Sequence, residues 1–300
     1  MQQVPQDQAS ALQDPAVAGG AQFFGHPRGL SVLFFTEFWE RFSYYGMRAI
    51  LLLFMTAPAA VSGLEFDITT AGFIYGLYTS MAYLASVPGG WLADNLLGQR
   101  NAIFYGGILI AAGNLTLSLH GVEFLAIGLT LIVLGTGLLK PNVSAIVGGL
   151  YSSDESARRD SGFSIFYMGI NLGAFVAPLI VGGLAENINW HWGFLASGIG
   201  MIIGLFWFKL GGKHLGNFGK LEAAPEAVQK AKKTLLYAGT ALALVVGIVA
   251  FVHFTNVFTV TMDIVRGAFN VAYIVIPVGF FTVVFLDKTL TTIEKKRFVV

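Results

Sequence analysis

Cysteine is absent from the 300 residues, and charge is scarce, with Asp, Glu, Lys and Arg making up 12% of the chain. The first absence removes disulfides, thiolate metal sites and cysteine nucleophiles together. The second excludes an ordinary soluble domain, which carries roughly 25% charged residues. A hydrophobic content of 55% points to membrane spans instead. The formal net charge is +1, with no basic tract to neutralise a phosphate backbone, so nucleic acid is excluded as a partner. Histidines at 26, 120, 191, 214 and 253 show no metal-ligand spacing. No metal, cofactor or enzymatic chemistry is expected. Residues 1–29 lack a basic n-region and an apolar h-region and read as a disordered cytosolic leader.

From Leu30 onward the chain has apolar stretches long enough for a bilayer, which takes ~20 residues. They fall at about 30–57, 69–93, 101–120, 124–148, 162–184 and 190–210. A Lys-rich polar segment follows, then two further stretches at about 234–258 and 264–286. The expected organisation is therefore a six-helix transmembrane bundle over 30–210, a cytosolic linker over 211–233, an inserted hairpin over 234–286 and a cytosolic segment over 287–300. With the N-terminus in the cytoplasm, 14 of the 18 Lys and Arg fall inside and only Arg266 outside. Arg41, Arg48 and Lys140 remain, and they lie within spans.

A faint repeat links the second and fifth stretches: Gly72, Pro88, Gly89-Gly90 and Leu92-Ala93-Asp94 match Gly162, Pro178, Gly182-Gly183 and Leu184-Ala185-Glu186. Repeats of three helices must be inverted, as in secondary transporters. The pairs Gly72/Gly76, Gly169/Gly173 and Gly200/Gly204 fit close helix packing.

Span 1 carries Glu37, Glu40, Arg41, Tyr44, Tyr45 and Arg48 on one stripe about 140° wide. Four charges facing lipid would cost ~10 kcal/mol, so they face a cavity or one another. Glu37 and Arg41 form a favourable i, i+4 pair. A lock needs one acid and one base, and this stripe has two of each. Lys140 precedes Pro141, which tends to kink a helix; its expected partners are Glu37 and Glu40, snorkelling to the surface being the alternative. Gly90, Asp94, Gly98 and Arg100 make a tight loop whose acid and base can latch neighbouring helices, a pattern similar to that of the major facilitator superfamily.

Three motifs together resemble the proton-dependent oligopeptide transporter (POT) family of that superfamily, in its bacterial form. They are Glu37-x-x-Glu40-Arg41-Phe-x-Tyr44-Tyr45, the Gly89-Gly90-Trp91-Leu92-Ala93-Asp94 loop running on to Gly113, and Phe163-Ser-Ile-Phe166-Tyr167-Met-Gly-Ile-Asn171-Leu-Gly173-Ala-Phe175. The resemblance implies an all-α integral membrane protein, an N-terminal six-helix bundle of 3+3 inverted repeats with two extra helices. A second bundle is absent from this chain, and Lys295-Lys296-Arg297-Phe298 looks like its lead-in.

For the full-length protein the resemblance implies proton-coupled uptake of di- and tripeptides across the bacterial inner membrane by alternating access. A relative moving nitrate or another small organic anion, and a non-transporting sensor, are the alternatives. Protons are the coupling ion, peptides and lipid the partners, and a monomer is expected. By motif, Arg48 would hold the peptide carboxylate, and Tyr44, Tyr45, Tyr83 and Asn171 would line the cavity. Glu37, Glu40, Arg41 and Lys140 would couple proton to peptide, because burial favours the protonated acid and a nearby base the ionised one.

Overall fold

The computed structural model describes residues 22–152 and 154–255 and scattered positions between 264 and 285. Residues 1–21 of the expected leader, about half of the stretch 264–286 and the whole of 287–300, with its expected lead-in, lie outside the described residues. Residues up to Lys232 form one compact unit and those from Lys233 a second. The bundle belongs to the first.

Six helical rods make up that bundle among the described residues. Helix α1, Arg28–Thr56, stops at Ala57, because the following Pro58 disfavours helical geometry before it. Asp67 caps α2, Ile68–Leu84, by accepting from the backbone N–H groups of Thr69 and Thr70. The second rod continues through α3, Ser86–Leu92, and a π-helical turn at Ala93–Leu97 that ends on Gly98. Helix α4 covers Gln99–Leu117 and α5 covers Val122–Gly149. The fifth rod is α6, Ser156–Ala177, a π turn at Pro178–Gly182 and α7, Gly183–Asn187. Asn189 caps α8, Trp190–Gly211, which runs into a 3-10 turn at Gly212–Leu215.

Helix α9 spans Pro225–Phe254, so helix starts inside the segment expected as a linker. Proline is favoured in the first turn, and the Glu, Ala, Gln and Lys that follow are good helix formers. The leader departs from expectation in the same direction. His26 is buried and its Nδ1 lies 3.0 Å from the Tyr151 hydroxyl, while the Phe23 ring packs on Phe34.

By length and composition Val122–Gly149, Ser156–Asn187 and Trp190–Leu215 can cross a membrane. Helix α1 has the length but carries five charges, and the second rod is divided at Ala85. Neighbouring rods pack in the order α2–α3, α5, α4, α8, α1, α6–α7. Exchanging the first three rods for the last three reverses that order, which is the pseudo-twofold relation expected of an inverted repeat.

Glycine sets how closely the rods approach. A Cβ at Gly106 would stand 2.6 Å from the Gly135 carbonyl oxygen, and one at Gly113 2.7 Å from that of Gly128, so α4 and α5 touch backbone to backbone. Gly169, Gly173, Gly200 and Gly204 all pack against α1, whereas Gly72 and Gly76 face open space. That last pair reflects composition rather than contact.

Pro141 lies inside α5 without ending it. It lacks the N–H that would bond the carbonyl four residues back, which is that of Gly137. Gly89 of α3 approaches this carbonyl so closely that a Cβ there would overlap it.

Two outcomes follow. Gly89→Ala is expected to destabilise the bundle by ~1–3 kcal/mol through overpacking and Gly76→Ala to leave it unchanged, as read by thermal unfolding in detergent. At the leader, burial first and the Arg158 charge second hold His26 below the ordinary imidazole range. The unfolded segment therefore takes up a proton more readily than the docked one. Docking is fully stable above pH of about 6.5 and weakens as pH falls below it. Hydrogen exchange at residues 23–27 reads this loss, and His26→Leu abolishes the pH dependence.

Candidate functional site

The interior divides into two apolar clusters along the rods. Leu30 and Leu33 of α1 belong to one, and Met47, Leu51 and Phe54 to the other. Between them lies a belt of buried polar residues: Glu37, Glu40, Arg41 and Ser43 on α1, Asn114 on α4, Thr136 on α5 and Ser197 on α8. Ser43 Oγ accepts from Asn114 Nδ2 at 3.3 Å. Four rods thus contribute polar atoms between the two apolar clusters.

The charged centre of the belt is on α1. Glu37, Glu40 and Arg41 are 5%, 0% and 6% exposed. Arg41 Nε pairs with Glu37 Oε1 at 3.1 Å and with Glu40 Oε2 in a shorter contact. Glu40 Oε1 and Arg41 Nη2 remain buried without a hydrogen-bond partner. Gly173 of α6 allows the close crossing, since a Cβ there would stand 3.0 Å from Arg41 Cβ and would overlap the Phe38 carbonyl.

Two turns further along α1, Arg48 is half-buried and donates from Nε to the Tyr75 hydroxyl of α2. The Tyr44 ring lies 5.1 Å from the Arg41 guanidinium and 5.9 Å from that of Arg48, so it connects the two charged groups. Tyr44 is itself buried, while Tyr45, in edge contact with it, is half-buried. Among the described residues no carboxylate comes within ion-pair distance of Arg48.

Lys140 is placed differently from expectation. Its Nζ stands 4.0 Å from the centre of the exposed Tyr83 ring and pairs with neither Glu37 nor Glu40, although it lies within electrostatic reach of Glu37. The close contact of Gly89 with Gly137 brings α3 and α5 together beside this pair. Asn171 is exposed. It lies two residues from both Gly169 and Gly173, hence on the side of α6 turned away from α1, and no hydrogen bond ties it to the cluster among the described residues.

In the loop, Gly90 borders Pro141 and Gly98 adopts φ +76°. Asp94 is exposed and does not pair with Arg100. Arg100 instead donates to the carbonyls of Phe218 at 2.5 Å and Gly216 at 2.6 Å, and its own N–H to that of Gly219 at 2.9 Å. Among the described residues the latch joins the loop to the segment after α8 through backbone carbonyls. Gly216 and Gly219 have positive φ, which turns this segment so that its carbonyls converge.

Sequence reasoning missed Tyr75, Tyr78, Asn114, Thr136 and Ser197. Tyr78 is buried with an unpartnered hydroxyl within electrostatic reach of Glu40, Arg41 and Arg48. The available signal was a hydroxyl stripe on α2, since Tyr75, Tyr78 and Tyr83 share a face of about 140° at helical spacing. Thr136 and Ser197 lie midway along apolar spans, and Asn114 near the end of another.

A profile of the POT family matches residues 100–299. An uncharacterised transporter of Bacillus subtilis, YclF, is 46% identical over 92% of this chain and 55% of its own length. A di-/tripeptide transporter of Lactococcus lactis subsp. cremoris is 42% identical over 92% of this chain and 56% of its own. The chain thus spans about half the length of the curated relatives it matches. A crystal structure described as peptide transporter POT in complex with sulfate superposes with a TM-score of 0.86 at 42% identity, covering 96% of this chain and 58% of that one. A POT family transporter in complex with 5-aminolevulinic acid does so with a TM-score of 0.86 at 39% identity, over 96% of this chain and 58% of its own. Profile, relatives and superposed helices agree with the charged stripe on α1: this is a helical membrane protein, and the chain belongs to the POT family.

Proposed function

We propose that this chain forms one wall of a proton-coupled symporter of di- and tripeptides, working by alternating access in the bacterial inner membrane with its N-terminus in the cytoplasm. The observation that carries the reading is a charge imbalance beside a cation, Lys140, that no described carboxylate pairs. Glu37 and Glu40 surround Arg41, so the buried group holds two potential negative charges against one positive. An unmatched buried charge is costly. The imbalance is relieved by a proton on one carboxylate, or by Lys140 moving from Tyr83 toward Glu37. Proton and Lys140 then compete for the same carboxylate, and the winner sets which helix contacts exist.

Arg48 supplies the substrate end. With Nε committed to Tyr75, its two terminal nitrogens remain to bind a peptide carboxylate in a fork. Tyr45, Tyr83 and Asn171 are accessible to the rest of a peptide. The names of the Lactococcus relative and of the superposed peptide transporter support peptides as the cargo. Positive charge crowded on the N-terminal side supports the orientation. The activity is transport without covalent chemistry or a cofactor, and a monomer suffices for it.

Uptake of a labelled dipeptide by the full-length protein in liposomes tests the reading. An acidic exterior is expected to stimulate uptake, and Glu40→Gln to abolish that stimulation while peptide counterflow persists. Uptake indifferent to the gradient, or unchanged in Glu40→Gln, sinks the coupling assignment. Arg48→Lys is expected to raise the KM for dipeptide on the order of tenfold through loss of the forked bond, and dipeptides should outcompete nitrate. For the charge balance itself, Glu37→Gln is expected to preserve thermal stability. Glu37→Gln with Glu40→Gln strands Arg41 and costs ~3–5 kcal/mol, visible as early unfolding in detergent.

A further inference from the structure

The end of the bundle where α1 begins and α8 finishes carries a cleft that the transport reading does not use. It has a volume of about 230 Å³ and is lined by Arg28, Ser31, Trp207, Leu210, Lys213 and His214, with Val32 and Gly211 behind them. Two glycines make the helices meet there at backbone distance. A Cβ at Gly211 would stand 2.5 Å from Val32 Cγ2, and one at Gly29 3.0 Å from the His214 carbonyl oxygen. The basic side chains gather around this meeting point.

Among the described residues their charge is not paired. Arg28 and Lys213 both lie within electrostatic reach of His214. Among the described residues no carboxylate comes within ion-pair distance of any of the three. Like charges held this close repel one another, and a bound anion turns that repulsion into attraction.

The other half of the cleft is apolar and continues along the outside of the bundle. Ile199, Ile203, Phe206, Trp207 and Leu210 are exposed at helical spacing on α8, forming a stripe that ends at the basic rim. Phe35 holds the Trp207 ring from the side, with centroids 4.8 Å apart, and tryptophan favours the boundary between hydrocarbon and headgroups. A free phosphate would use the rim and leave the stripe idle. A ligand with an anionic head and a long apolar tail uses both.

We infer that this cleft binds the phosphate headgroup of an anionic phospholipid, with an acyl chain laid along the exposed face of α8. The inference rests on the bundle lying in a bilayer and is independent of peptide transport, so either can fail alone.

The test titrates phosphatidylglycerol into delipidated, detergent-solubilised full-length protein and reads bound lipid by native mass spectrometry. Phosphatidylcholine is the zwitterionic comparison and glycerol 3-phosphate the soluble competitor. Phosphatidylglycerol is expected to be retained in preference to phosphatidylcholine. Arg28→Gln and Lys213→Gln should each weaken it about fivefold, while Arg28→Lys keeps it. Arg159→Gln removes the same charge at the same end of the bundle but outside the cleft, and should leave binding unchanged. Retention undiminished in both Gln variants overturns the inference. Equal weakening by Arg159→Gln, which would reduce the effect to net charge, also overturns it, as does full displacement by glycerol 3-phosphate, which would mark a soluble-anion site. Each single variant is checked for a monodisperse elution profile, so loss of binding is separable from misfolding.

Discussion

Two carboxylates share one guanidinium inside the bundle, and much of the surrounding structure accommodates that arrangement. Removing charges from water costs several kcal/mol per ion even after relaxation, so the site must return hydrogen bonds and low-dielectric attraction. Glu37 and Glu40 both reach Arg41 Nε, and the Tyr44 ring lies against the guanidinium. One carboxylate oxygen and one guanidinium nitrogen still lack partners. The cluster is held together without being saturated, which distinguishes it from a static salt bridge.

The apolar clusters on either side make that state tolerable. They flank the charged group along the rods. Close glycine contacts bring the helices against the charged group, most directly where α6 crosses α1 at Gly173. Pro141 shapes the packing by a different route, freeing a carbonyl that Gly89 then covers. The symmetric packing order places α1 and α5 in equivalent positions, so the Glu and Arg of one repeat and the Lys of the other occupy related helices.

Much of this was legible in the sequence because membrane insertion leaves a strong record. Apolar length located all six rods, with α4 expected over 101–120 and found over Gln99–Leu117. The cost of charge in hydrocarbon singled out Glu37, Glu40 and Arg41 before any geometry was known. What was illegible depended on tertiary choice. Nothing in the loop composition says that Arg100 would seek carbonyls near residue 218 in preference to Asp94. Lys140 had Glu37 within electrostatic reach and took an aromatic face, a contact that requires knowing how near α3 lies to α5. Tyr75 and Tyr78 read as ordinary aromatic residues of an apolar helix, since a hydroxyl adds little to a hydropathy profile. The early start of α9 was hidden because polarity and helicity are separate properties.

The Arg100 latch has a chemical quality of its own. A guanidinium does not release its proton in a protein, and a peptide carbonyl has none to exchange. The bonds to Phe218 and Gly216 therefore hold across the whole acid range in which a carboxylate partner would let go. Because the acceptors are main-chain atoms, replacing the side chain at 218 leaves them in place. The loop and the exit of the sixth rod are thus joined by a fastening indifferent to acidity, in the same bundle whose interior is built around groups that respond to it.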